Sequence, residues 1–180
     1  MFFDKLSRAR KWNAPKYLSI QAGTLIYSGN PNYFPTAMML IKKLFDEYPD
    51  ATWDIMSSHI DLGEYYFRKG DYDKAREQYE IVHAYNENPS NGIWDDFTCN
   101  IRIAEIIIIQ RKKDEYGFAQ ELLESLSDAF RPNFQFLYPA KKHWMSLLDQ
   151  LNNLQKPSKL SQIITNITNH LLLLLRSIPN

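Results

Sequence analysis

The chain has one cysteine, Cys99, so no disulfide can form within it, which fits a reducing compartment. It carries no excess of either charge. Its 21 basic and 21 acidic residues cancel, and the basic surplus of a nucleic-acid-binding protein is missing. Six glycines and nine prolines in 180 residues are few for an all-β chain with many turns. The longest aliphatic runs, Ile106–Ile109 and Leu171–Leu175, are far below the ~18 apolar residues of a membrane span. The first residues, MFFDKLSRARKW, lack the apolar run of a signal peptide. Together these absences predict a cytoplasmic protein with no membrane span and no nucleic-acid partner. Lys5, Arg8, Arg10 and Lys11 read as solvated charges of a first helix or frayed end rather than an anionic-surface arm.

Catalytic signatures are missing too. His59, His83, His143 and His170 have no ligand spacing, His-Glu-x-x-His is absent, and there is no cysteine pair for zinc. No Gly-x-Ser-x-Gly, phosphate-cradling loop or dinucleotide fingerprint occurs. Cys99 has no local cation or base to make it a thiolate. The expectation is a protein that is not an enzyme, with no catalytic residue, no metal and no cofactor.

What is present is an apolar content of 44% and a regular step. The length predicts a single domain, 1–180. Trp12, Trp53 and Trp94 are each 41 residues apart. On that step Gly63 matches Ala22 and Ala104. In the second half of each unit Ala37, Ala75 and Ala119 correspond, each followed by Ile41, Tyr79 or Leu123 and then by Leu44, Val82 or Leu126. Small residues facing bulky ones let antiparallel helices pack closely. Glycine costs about 1 kcal/mol relative to alanine inside a helix, so Gly63 needs such a reason. Gly29 and Gly70 suit the left-handed position after a helix, and Pro35 suits a first turn. Three helical hairpins are predicted: 15–28 with 34–48, 53–69 with 72–86, and 94–112 with 115–130.

The stretch Met56–Val82 resembles a tetratricopeptide repeat. Leu62, Gly63, Tyr66, Ala75, Tyr79 and Val82 occupy the places where that family carries its packing residues. The resemblance is clearest at 56–89 and covers about three repeats (12–48, 53–87 and 94–131), with a step longer than the usual one because the connections are longer. It implies an all-α fold: a right-handed superhelical stack of antiparallel helical hairpins, closed by C-terminal capping helices. It also implies a concave groove lined by the first helix of each repeat. Carried over by position, the groove residues are Ser57, Ile60, Glu64, Phe67 and Arg68, then Thr98, Ile101, Glu105, Ile108 and Ile109. For the first repeat they are Lys16, Ser19, Gly23, Ile26 and Tyr27.

Members of the family that clamp a chaperone's C-terminal carboxylate place lysine and asparagine where this chain has Ile60 and Glu64, so that clamp is missing. Glu64 and Glu105 favour a basic or amide-rich segment, or a helix with an apolar face. Alternatively, both glutamates pair with neighbours such as Arg68 or Arg102. The function expected is a non-enzymatic protein–protein interaction module, an adaptor binding a protein or peptide. The alternative is a dedicated neutraliser, an immunity protein or secretion chaperone, in a one-to-one complex with one cognate protein.

Residues 132–155 read as an additional helix. Residues 158–178 read as a last helix, in which Leu160, Ile164, Ile167, Leu171, Leu174 and Ile178 form a heptad-like seam. That helix is expected to cap the array; the alternatives are that it folds back into the groove or forms a homodimer.

Overall fold

A computed structural model describes residues 13–88, 90–91, 96–126 and 138–155. These residues are all-helical, with no strand among them. The helices are α1 (Ala14–Tyr27), α2 (Phe34–Glu47), α3 (Thr52–Lys69), α4 (Tyr72–Glu87), α5 (Asp96–Ile109), α6 (Tyr116–Ser125) and α7 (Tyr138–Gln155), with short 3-10 turns at Pro31–Tyr33 and Lys113–Glu115. None is long and apolar enough to cross a membrane. The N-terminal arm, Trp12, Trp94 and the 158–178 seam lie outside the described residues.

The helix ends follow from local chemistry. Pro15 and Pro35 stand in the first turns of α1 and α2, where a missing N–H costs nothing. Asp71 caps α4 by accepting from the Lys74 amide. α3 ends on Gly70 at φ 75°, and the Asp71 amide reaches back to the Tyr66 carbonyl at 3.0 Å. α5 closes in the same manner around Arg111 at φ 54°, with the Lys112 amide on the Ile107 carbonyl.

The chain divides into two compact units, 1–106 and 107–180, and the division falls within α5. In the first unit α1 and α2 turn back on each other around Leu18, Ala22, Ala37, Leu40, Ile41 and Leu44. α3 and α4 form a second antiparallel pair. His59 faces Gln78 and Phe67 meets Tyr72, so the numbers fall on one helix as they rise on the other, and between these contacts Gly63 lies under the Tyr79 ring. A Cβ on Gly63 would stand 2.6 Å from the Tyr79 ring, which is why the position admits only glycine at this spacing.

Helices α1 and α3 run in the same direction. Ser58 Oγ donates to Ser19 Oγ at 3.5 Å, 39 residues away, and the Asp61 carboxylate lies directly over Gly23. Further along, Arg68 stands over the Tyr27 ring at 4.9 Å. From α3 to α5 the link between Glu64 and Arg102 spans 38 residues. The small and bulky residues picked out in the sequence, from Ala22 and Ala37 to Leu123 and Leu126, are buried in their units. In the second unit, 107–180, α6 packs against α7. Ala119, Leu122 and Leu123 of α6 and Leu147 and Leu151 of α7 are among its buried side chains.

Candidate functional site

The sequence-derived groove residues of the first unit lie on α1, on α3 and on α5 as far as Ile106. On α3, Ser57, Ile60 and Phe67 are half-buried, Arg68 is exposed, and Glu64 is buried at 8% exposure. On α5, Thr98 and Glu105 are half-buried and Ile101 is buried at 6%. On α1, Lys16 and Tyr27 are exposed, whereas Ser19, Gly23 and Ile26 are buried. Ile108 and Ile109 belong to the second unit, the first buried and the second exposed.

The centre of the arrangement is Arg102. Its Nε donates to Glu64 Oε1 at 2.6 Å, its Nη2 to Glu64 Oε2 at 3.1 Å, and its Nη1 to Glu105 Oε2 at 2.7 Å. The guanidinium also lies over the Phe67 ring at 4.4 Å. The planar fork of arginine suits this bidentate grip as lysine would not. Tyr79 completes the shell from α4, its hydroxyl donating to Glu64 Oε1 at 2.9 Å. Burial opposes the charge on Arg102, but its hydrogen bonds to Glu64 and Glu105 outweigh it and push its pKa up. Burial and the nearby Glu64 charge push the Tyr79 phenol up as well, so it stays a donor.

A second set joins α1 to α3. Tyr27 lies beside the Asp61 carboxylate, and Arg68 stands over its ring. Burial pushes the Asp61 carboxyl up to about 6, with the Tyr27 hydrogen bond opposing and Glu64 adding to the rise. Arg68 Nε is 4.0 Å from Glu64 Oε2, so the two sets are continuous. Asp61 and the Tyr27–Asp61 contact were not anticipated. The signal available for them was Gly23, whose missing side chain makes room for that carboxylate.

His59 and His83 have ordinary structural partners. His59 Nδ1 is 2.9 Å from Gln78 Oε1, its ring lies 5.0 Å from Phe45, and burial lowers its pKa against the Gln78 hydrogen bond. His83 Nδ1 is 3.0 Å from Asn100 Oδ1. Cys99 is buried. Among the described residues no group of three histidine, cysteine or acidic side chains is placed to hold a metal ion.

Comparison with protein-family models, with curated proteins and with solved structures returns no match. Any functional reading therefore stands on the side chains themselves.

Proposed function

We propose that the chain is a non-enzymatic interaction module, tetratricopeptide-like in architecture, that holds a peptide or protein segment on the face formed by α1, α3 and the first turns of α5. The observation that carries the reading is the near-constant step between these helices, 39 residues at Ser19 and Ser58 and 38 at Glu64 and Arg102, with α1 and α3 running in the same direction. Such a step sets like positions side by side and gives an extended surface. Ile60 and Phe67 supply apolar contact, with Ser57 and Thr98 along its edge. Arg102 offsets Glu64 and Glu105, so the surface is less acidic than the two glutamates alone would make it.

The test avoids those glutamates. Both accept hydrogen bonds from Arg102, and reversing their charge would alter stability together with binding. Ser57→Arg combined with Phe67→Ala changes the surface and keeps good helix formers. Affinity capture with mass spectrometry names the partner, and calorimetry then measures it. At least a tenfold loss of affinity with unchanged circular dichroism is expected. Unaltered binding by the variant removes this face from the proposal. One tight partner at one-to-one stoichiometry would mark a dedicated neutraliser; several weaker partners would mark an adaptor.

A further inference from the structure

The first unit contains a cleft of about 170 Å³ away from the Arg102 shell. Its apolar wall is made by Leu25 and Ile26 at the end of α1, Pro31 in the connection, and Phe34 at the start of α2. Tyr65 of α3 closes it, stacked on Phe34 with ring centroids 3.7 Å apart and planes 5° from parallel. The left-handed turn at Gly29 bends the chain around one end. An apolar cavity of roughly 150 Å³ accepts a benzene-sized group, whereas sites for whole cofactors begin near 300 Å³. The cleft therefore has room for one apolar or aromatic side chain.

Its polar border consists of donors. Arg68 and Lys69 stand there, and no acidic residue is among those lining it. The carboxylate nearest Arg68 is Glu64 at 4.0 Å, and Glu64 is already held by Arg102 and Tyr79. Lys69 makes no ion pair among the described residues; its ammonium lies 5.8 Å from the Tyr65 ring centroid. Asn30 turns its Oδ1 to the Asn32 amide at 3.0 Å, which leaves its NH₂ group as a further donor. The position of Arg68 and Lys69 in the last turn of α3 satisfies the helix dipole. That accounts for their charge and not for the apolar cavity beside them.

We infer that this cleft is a docking site for an acidic peptide segment, which inserts one aromatic or large aliphatic side chain against Phe34 and Tyr65 and sets flanking carboxylates on Lys69 and Arg68. The site does not depend on the α3–α5 surface described above. Arg68 borders both, whereas Lys69, Asn30 and Phe34 belong to the cleft alone.

The experiment titrates the full ¹⁵N-labelled chain with a blocked pentapeptide carrying a central phenylalanine flanked on each side by aspartate and glutamate. Amides of Gly29, Asn30, Phe34 and Lys69 are expected to shift. Affinity should fall about tenfold or more when the central residue is alanine, when the four acids become amides, or in Lys69→Glu, since each change removes an apolar contact or a charged hydrogen bond. Lys69→Arg should retain binding. Ser57→Arg with Phe67→Ala should leave it unchanged, which separates this site from the face proposed above. Shifts confined to other residues, equal binding of the amide or alanine peptide, or full affinity in a folded Lys69→Glu variant would overturn the inference.

Discussion

Gly63 and Gly23 differ in what an added methyl would strike. At Gly63 it meets the rigid, fully buried Tyr79 ring at 2.6 Å; at Gly23 it meets the end of the Asp61 side chain at 2.5 Å. Alanine gains about 1 kcal/mol in helix propensity, against roughly 1–3 kcal/mol for overpacking a core. Gly63→Ala is therefore expected to be destabilising in urea titrations, and Gly23→Ala less so, because a carboxylate can swing aside. Asp61 adds a pH dependence. Its folded pKa, about 6, exceeds the ordinary 3.8, so the folded chain holds the proton more tightly. The stabilisation is complete below the unfolded value and is lost as pH rises through about 6. Asp61→Asn should be more stable than the parent at pH 7.5, on the order of 1 kcal/mol after allowance for its partial exposure. The gap should close by pH 4. A gap that widens toward acid would reverse the assignment.

At the level of elements, the helix stops and the inter-helix tie make separate predictions. α1 and α3 are followed by glycine in the left-handed region, but α5 is followed by Arg111 at φ 54°. A side chain there costs about 1 kcal/mol or more, partly regained through the stiffer unfolded chain. Arg111→Gly should raise the denaturation midpoint by an amount equivalent to about 0.5–1 kcal/mol. The tie between α3 and α5 should matter more. Removing one partner of a buried pair leaves an uncompensated charge, at a cost of about 3–5 kcal/mol; with Arg102 partly exposed, Arg102→Ala is placed at the lower end. A double-mutant cycle with Glu64→Gln should return a coupling of 1 kcal/mol or more. Additive effects would mean the two residues act independently.

Over the whole molecule, the sequence predicts more than the described residues contain. The seam from Leu160 to Ile178 predicts either packing within its own chain, as a cap on the helical array or in the groove, or a homodimer. Replacing Leu171 and Leu174 with asparagine distinguishes them. If the seam packs within its own chain, thermal stability falls at constant mass. If it dimerises, light scattering shows a halved mass. The chain divides at 106/107 into two compact units, with the sequence-defined third hairpin on both sides of the boundary.

Helix positions were legible because their causes are local. The periodic apolar residues, Gly29 and Gly70 after helices, and prolines in first turns act within a few residues, and α1 to α4 begin and end within two residues of the sequence expectation. The buried sets around Ala22, Gly63 and Ala75 were legible for the same reason, since close packing demands small residues at a fixed spacing. The partner of Glu64 was not decided at that level. Arg68, four residues along, and Arg102, 38 residues along, were both available, and the choice depends on how α5 stands beside α3. The tertiary structure puts Arg102 at 2.6 Å and leaves Arg68 at 4.0 Å. It also aligns Asp61 with Gly23 and closes the cleft between Phe34 and Tyr65. These are contacts between segments far apart in the chain, and no local pattern specifies their distance.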